Sequence, residues 1–170
     1  MEYCKHGSLR QWVQSTNPND AQKQSVLRQV LLALACMHSQ KIVHCDIKGE
    51  NVLIAADGSA RICDFEMSRD LGAASASTMA GGTLGFIAPE VQSRQAKPSP
   101  ASDMYSFGVM ILNTMLPVDS KLYPVVTTES ATDPYLRAVV TRLVDEPSPA
   151  ARPTAARLLA EKFFQESGPD

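Results

Sequence analysis

The stretch HCDIKGEN, residues 44–51, decides the fold of this chain. It lies between two short apolar runs, at 41–43 and 52–54, which predict β-strands on either side of a polar segment. Eight residues of this polarity have no apolar periodicity that would hold a strand or a helix against a core. The sequence therefore predicts a loop that joins the two strands.

Three side chains of this loop carry complementary chemistry. Asp46 offers a carboxylate that can accept a proton, and Lys48, two positions later, offers an ammonium group that neutralises phosphate charge. Asn51 adds an amide oxygen of the kind that binds hard cations. This combination suits the steering of a hydroxyl towards a phosphate, although a plain polar turn is an alternative that these residues alone leave open.

Four further signals follow the loop along the chain. They are Asp64-Phe65 after an apolar run, the stretch GTLGFIAPE at 82–90, Asp103 near the start of an apolar helix, and Arg-Pro-Thr at 152–154. Together with residues 44–51, they resemble the ordered motifs of the C-terminal lobe of eukaryotic-type protein kinases. The resemblance extends from residue 1 to about 164, so it covers almost the whole chain.

The resemblance implies a serine/threonine protein kinase that uses ATP and Mg²⁺ and acts on hydroxyl groups of protein substrates. In these roles Asp46 is the base that orients the acceptor hydroxyl, and Lys48 steadies the γ-phosphate. Asn51 and Asp64 are the implied Mg²⁺ ligands. Lys48 and the Gly-Thr pair at 82–83 also favour a serine or threonine acceptor over tyrosine.

Nucleotide contacts are implied for a hinge near the N-terminus and for the strands beyond the loop. The residues so assigned are Glu2, Cys4, Ser8, Lys48, Leu53 and Cys63. Ser8 is also predicted to cap a short helix that runs through Gln14. For the first few residues a disordered N-terminus is the alternative, because nothing before them in this sequence holds them in place.

The acceptor side and the supporting framework are assigned in the same way. The resemblance implies that Glu50 contacts a basic substrate residue, that Thr83 hydrogen-bonds Asp46 and Lys48, and that Ile87 lines the pocket for the residue after the acceptor. Structural roles are implied for His44, Phe65, Glu90, Asp103 and Arg152. Among these, Asp103 is expected to accept backbone hydrogen bonds from the loop and Arg152 to pair with Glu90. Ser75, Ser77 and Thr78 are candidate phosphorylation sites in a small, polar segment.

The sequence departs from the family pattern in three places. It contains no G-x-G-x-x-G loop and no Val-Ala-Ile-Lys strand, so we expect the N-terminal lobe to be absent and the chain alone to be inactive. Cys45 stands where the family has an arginine that binds a phosphate on the activation segment, and Arg69 is expected to replace it in part. Glu66 stands where the family has glycine, and a positive φ there would cost roughly 1 kcal/mol.

These departures support a second hypothesis, that of a pseudokinase or interaction module that uses the helical lobe as a docking surface. A partner, or the missing lobe, is expected to cover the exposed ATP face. Against this hypothesis stands the joint presence of the four residues assigned to phosphoryl transfer.

Composition sets the remaining expectations. A chain of 170 residues with 44% apolar and 20% charged residues predicts one globular domain, taken here as 1–170, the hinge to the final helix of a partial kinase domain. The net charge of −2 gives no basis for binding nucleic acid, and the longest apolar run, 30–37, is too short to span a membrane. Four cysteines without C-x-x-C spacing favour a cytoplasmic setting.

The predicted fold class is α+β, mostly helical with a small β-hairpin layer. Helices are predicted at 21–39, 101–115, 133–144 and 154–165.

Overall fold

The structure, a computed structural model, describes residues 6–72, 82–116, 123–124 and 127–165. The implied hinge residues Glu2 and Cys4 lie outside the described residues. So do the three candidate phosphorylation sites, Ser75, Ser77 and Thr78.

In the described chain the four short antiparallel strands follow one another, after the first two helices and before the remaining helices, which agrees with the predicted α+β class. The helices are α1 Leu9–Thr16, α2 Asp20–Ser39, α3 Pro89–Gln92, α4 Pro100–Met115, α5 Pro134–Val140 and α6 Ala155–Leu158. The strands are β1 Ile42–Val43, β2 Val52–Ile54, β3 Ala60–Ile62 and β4 Arg69–Asp70. Within the described part of the chain, no helix combines the length and the apolar character needed to cross a membrane.

Local sequence explains where the longer helices begin. Helices α1, α2 and α4 each start with a reciprocal capping box, in which the N-cap side chain accepts an N–H of the first turn and a side chain of that turn accepts the N-cap N–H. The residue pairs are Ser8 with Gln11, Asn19 with Gln22, and Ser99 with Ser102. Such caps are worth about 1 kcal/mol each, so they stabilise the starts of the two helices before the polar loop and of the central helix.

Helix α4 lies at the centre of the core. It is buried without interruption from Ser102 to Leu112, and α2 packs against it with a stripe of fully buried residues spaced three and four apart: Val26, Leu27, Val30, Leu31 and Leu34. A Cβ atom placed at Gly108 would lie 2.7 Å from the Cβ of Leu143. The missing side chain therefore lets the next helical layer approach α4 closely.

The strands form two separate two-stranded ribbons. Strand β1 pairs with β4 and strand β2 pairs with β3, both antiparallel. Two strands joined by the polar loop were predicted, and both exist, but they belong to different ribbons. Strand β4 was not predicted, because Arg69–Asp70 has no apolar alternation, and its pairing with Ile42–Val43 comes from tertiary contact.

The C-terminal helices are shorter than predicted. The helix expected to reach 144 is α-helical only to Val140 and continues as a π-helical turn over Thr141–Asp145. The helix expected to reach 165 ends at Leu158, and a 3₁₀ turn over Lys162–Phe164 follows. Phe164 there stacks on Phe107 of α4 with a centroid distance of 6.1 Å, so burial of the aromatic ring prevails over local helix propensity.

Candidate active site

Helix α4 holds the polar loop through one buried carboxylate. Asp103 accepts the backbone N–H of His44 on Oδ2 at 2.8 Å and that of Cys45 on Oδ1 at 2.9 Å. Its Oδ2 also lies 3.0 Å from Nε2 of His38, near the end of α2, and its side chain is 1% exposed. Asp103 therefore makes the backbone contacts predicted for it, and it joins two helices to the start of the loop.

His44 connects the loop to the segment that carries Asp64. The ring is fully buried, and its Nδ1 accepts the backbone N–H of Asp46 at 3.3 Å. The proton is therefore on Nε2, which donates to the carbonyl oxygen of Cys63 at 3.1 Å. Phe65 contacts the same ring edge to face at a centroid distance of 5.1 Å.

The carboxylate of Asp46 is the centre of a hydrogen-bond cluster. Thr83 Oγ1 donates to its Oδ1 at 2.8 Å, while Lys48 Nζ at 2.6 Å and Asn51 Nδ2 at 2.9 Å both donate to its Oδ2. Lys48 Nζ also donates to Thr83 Oγ1 at 2.6 Å. The structure thus brings Asp46, Lys48 and Asn51 together and adds Thr83 from a segment thirty-seven positions away, with the contacts predicted for it.

The same contacts set the acidity of Asp46. Burial alone would raise the pKa of this carboxyl, but hydrogen bonds from Lys48 and Thr83, the charge of Lys48 and the Asn51 amide outweigh it and hold the pKa below its usual value. Asp46 is therefore ionised at neutral pH and is a weak base. Such a carboxylate orients a hydroxyl and accepts its proton late, when the oxygen has already become acidic.

The two predicted metal ligands are side chains with unused oxygens. Both N–H groups of the Asn51 amide point at Asp46, one to its carbonyl oxygen and one to its carboxylate. None of the described residues donates a hydrogen bond to the amide oxygen, which is therefore available to a cation. Asp64 is exposed, and within the same part of the chain it makes no ion pair. The backbone N–H of Cys63 donates to the Asn51 carbonyl at 2.9 Å, which places Asp64 next in the chain to a residue held against Asn51.

This donor set fits Mg²⁺ together with a phosphate ligand. Carboxylate and amide oxygens are hard ligands, and Mg²⁺ is commonly held by one or two protein groups plus waters and substrate phosphates. In the described ranges no group of three or more His, Cys, Asp or Glu side chains could hold a metal ion. A cation held by Asn51 and Asp64 would therefore complete its shell with waters and phosphate oxygens.

Two residues of this site have a strained backbone. Cys45 has φ 70° and Asp64 has φ 63°, both in the left-handed region that costs a non-glycine residue roughly 1–2 kcal/mol. Glu66 is not among the described residues with a positive φ, so the cost that such a backbone would carry does not arise there. Glu66 therefore replaces glycine without backbone strain.

Cys45 is not a reactive thiol. Burial raises its pKa to about 12, the charge of Asp103 adds to the effect, and Arg69 opposes it. The thiol therefore stays protonated at neutral pH. Arg69, expected to substitute in part for the family arginine, lies against this thiol in strand β4.

The implied nucleotide contacts lie around strand β2. Leu53 is half-buried on the face opposite to its two fully buried neighbours, and its backbone forms a bridge with Ser8. The thiol of Cys63 lies 3.4 Å from the Asn51 carbonyl oxygen. Ser8 is buried and its hydroxyl caps α1 as predicted, so a nucleotide contact through Ser8 stays a prediction.

Exposed apolar side chains mark the neighbouring surface. Phe65 is 51% exposed, Met67 43% and Leu71 46%. These three exposed apolar side chains all lie on the segment that follows Asp64.

A buried ion pair holds Glu90, the last residue of the 82–90 stretch, against Arg152. Arg152 donates to both carboxylate oxygens of Glu90, at 2.6 and 3.0 Å, and to the carbonyl of Ala101 at 3.2 Å. The arginine side chain is 1% exposed. Burial would raise the pKa of Glu90, but hydrogen bonds and the charge of Arg152 lower it, so the predicted pair is ionised.

Sequence reasoning missed two residues beside Glu50. Arg10 of α1 donates to Glu50 Oε1 at 2.8 Å, and the Tyr123 hydroxyl donates to Oε2 at 2.8 Å. No local pattern could have indicated contacts between residues forty and seventy-three positions apart. Ile87, the other acceptor-side residue, is half-buried beside Gly82, where an added Cβ would lie 3.0 Å from its side chain.

Comparison with known proteins agrees with this geometry. The protein kinase domain family matches residues 1–132, and this chain belongs to that family. Serine/threonine-protein kinase PAK mbt of Drosophila melanogaster is 31% identical over 188 aligned residues, covering 99% of this chain and 29% of that protein. Serine/threonine-protein kinase PAK 1 of Mus musculus is 38% identical over 114 residues, covering 66% of this chain and 21% of that protein. The chain thus spans less than a third of the length of either relative.

Proposed function

We propose that this chain supplies the acceptor and metal side of a serine/threonine protein kinase, which transfers the γ-phosphate of ATP to hydroxyl groups of protein substrates. The observation that supports this most is the cluster around Asp46, because three donors from two separate segments hold one carboxylate ionised and oriented. An inactive scaffold has no physical need for that arrangement.

In this proposal each residue has a separate task. Asp46 orients the acceptor hydroxyl and takes its proton as the oxygen bonds to phosphorus. Lys48, which is 18% exposed and already hydrogen-bonded to Asp46, faces the γ-phosphate and offsets its charge. Thr83 ties the acceptor-side segment to the same carboxylate, so binding of the acceptor and orientation of the base are coupled.

Mg²⁺ and ATP are the cofactors that these residues would hold. Asn51 and Asp64 offer oxygen ligands, and we assign Leu53 to the adenine ring and Cys63 to the wall of the nucleotide pocket. When bound, Mg²⁺ neutralises charge on the transferring phosphate. The 170 residues contain no G-x-G-x-x-G loop, so we expect ATP binding by this chain alone to be weak and transfer to be absent.

The experiment compares the 170-residue chain alone with the same chain fused behind a protein kinase N-terminal lobe. We expect Mg²⁺-dependent phosphorylation of a serine peptide only in the fused protein, lowered about 10²–10⁴-fold by Asp46→Asn. An Arg142→Ala variant, which removes an exposed surface pair, should transfer as well as the parent.

Two outcomes would count against the proposal. Transfer that survives Asp46→Asn would remove the assigned role of the carboxylate. Binding of Mg²⁺-ATP without any transfer by the fused protein would favour a pseudokinase, for which the substitutions at Cys45 and Glu66 are the sequence support.

A further inference from the structure

The carboxylate of Glu50 is occupied by side chains of this same chain. Its Oε1 accepts Arg10 at 2.8 Å and its Oε2 accepts the Tyr123 hydroxyl at 2.8 Å. The side chain of Glu50 is 35% exposed, so it lies at the surface rather than in the core. It is next to Asn51 in the loop whose Asp46 is proposed to meet the acceptor.

Arg10 contacts both Tyr123 and the loop residues Gly49 and Glu50. Its guanidinium carbon lies 3.6 Å from the centre of the Tyr123 ring, in cation–π contact, while one nitrogen bonds Glu50. A Cβ placed at Gly49 would lie 3.6 Å from the Cβ of Arg10, so α1 packs directly against the loop. Because the Arg10 guanidinium both stacks on an aromatic ring and forms an ion pair, we expect it to be better ordered than an arginine side chain that contacts only solvent.

Tyr123 extends the cluster towards the acceptor-side segment. Its ring lies 5.8 Å from that of Phe86, which is buried three residues after Thr83. Burial raises the pKa of the Tyr123 phenol and the neighbouring Glu50 raises it further, so the hydroxyl remains a donor to Glu50 at neutral pH. Both oxygens of Glu50 are therefore hydrogen-bonded beside the path that an acceptor segment would take to Asp46.

We propose that Arg10 is a specificity-determining residue that fills the cation site of Glu50 with the chain's own guanidinium, so that acceptor segments need no basic residue there. A basic peptide side chain would have to displace an ion pair and a cation–π contact to reach the carboxylate. The number of ion pairs would not increase, because the new pair with Glu50 would replace the pair that Arg10 now makes. This inference rests on the proposed kinase function and concerns the class of acceptor sequence.

The test measures binding of two serine peptides to the 170-residue chain at low ionic strength, by fluorescence anisotropy. The peptides are identical except that one carries arginines before the serine and the other carries citrulline, which has the same shape without the charge. The proteins are the parent, Arg10→Ala, Arg10→Gln, and the double variant Arg10→Ala with Glu50→Gln. Arg142→Ala is the matched control, because it also removes an exposed arginine–glutamate pair.

We expect the parent and Arg142→Ala to bind the two peptides within about twofold of each other. Both Arg10 variants should favour the arginine peptide by about fivefold, the upper range for a partly exposed ion pair, and the double variant should lose that preference. Thermal melting of each variant confirms that it is folded, and Arg10→Gln keeps most of the side-chain packing if Arg10→Ala does not fold.

The proposal is overturned if the parent already prefers the arginine peptide by more than about twofold, or if the double variant keeps the preference of Arg10→Ala. It is equally overturned if folded Arg10 variants gain no preference, including the case in which they bind neither peptide. Because the readout is a ratio of binding constants, a failure here is distinct from a failure of phosphoryl transfer in the fused protein.

Discussion

The backbone N–H of His44 donates to the carboxylate of Asp103 at 2.8 Å, across fifty-nine positions of sequence. This bond, with its neighbour from Cys45, attaches the polar loop to the most deeply buried of the described helices. The position of Asp46 is thus set by the core rather than by the loop itself, and the left-handed backbone at Cys45 is maintained by the same carboxylate.

Replacement of Asp103 by Asn should destabilise the fold by about 2–4 kcal/mol. One of the two backbone N–H groups that now meet an oxygen would instead face an amide NH₂ group, in a site that is 1% exposed. Urea unfolding followed by circular dichroism measures this change. Glu161→Gln, at an exposed pair, is the control and should change stability by less than about 1 kcal/mol.

Arg152→Ala should cost about 3–5 kcal/mol, because it leaves the largely buried carboxylate of Glu90 without its cation. Arg142→Ala should cost at most about 1 kcal/mol, since both partners of that pair are well exposed. The same urea titrations compare the two variants. Equal losses for both would show that burial of the Glu90 pair has no energetic consequence.

The pair between Glu90 and Arg152 also predicts a pH dependence. The pKa of Glu90 is lowered in the folded chain, so the unfolded chain binds its proton more tightly, and folding is stabilised above the ordinary glutamate pKa of about 4.3. This contribution should be lost as the pH falls through the folded-state value. Glu90→Gln should therefore flatten the fall in unfolding free energy below about pH 4, measured by urea titrations at several pH values. A slope as steep as that of the parent would contradict the depressed pKa.

Two glycines with positive φ provide a matched comparison. Gly85, at φ 88°, has the Pro124 side chain only 2.5 Å from where a Cβ would stand, whereas Gly58, at φ 81°, has open space around it. Gly58→Ala should cost about 1 kcal/mol from backbone strain alone. Gly85→Ala should cost roughly 1–3 kcal/mol more, because the proline contact must also shift. Thermal denaturation of both variants tests the difference. Equal losses of stability would mean that Pro124 moves away from the added methyl group without a cost in free energy.

In the protein fused to an N-terminal lobe, Thr83→Val should lower phosphoryl transfer about tenfold. The variant removes the hydroxyl that bonds both Asp46 and Lys48 while keeping the branched shape of the side chain. Thr83→Ser retains the hydroxyl and should stay within about threefold of the parent. Steady-state transfer rates to one serine peptide decide the matter, and a fully active Thr83→Val would exclude Thr83 from the orientation of the base.

The local chemistry of the site could be predicted from sequence because it is carried by short motifs. Asp46, Lys48 and Asn51 lie within one loop. The resemblance supplied Thr83, which bonds Asp46 and Lys48, and Asp103, which accepts the backbone N–H groups at the start of the loop. Helix starts were also predictable, since capping residues act over three or four positions.

Features determined by tertiary packing could not be predicted in this way. The contact of Arg10 with Glu50 joins two charged residues that lie forty positions apart in the sequence. Nothing in the sequence around either residue indicates that they pair with each other rather than with solvent. The early end of the last α-helix depends on the stacking of Phe164 on Phe107, and strand β4 exists only because it pairs with β1.

The central claim is that one ionised carboxylate, Asp46, orients the acceptor of a phosphate that Mg²⁺ holds beside it. The most direct measurement is phosphoryl transfer by the fused protein and its Asp46→Asn variant, with Mg²⁺-ATP affinity measured on the same samples. We predict a loss of transfer of about 10²–10⁴-fold with nucleotide affinity changed less than about threefold. Transfer retained in Asp46→Asn, at unchanged nucleotide affinity, would contradict the account.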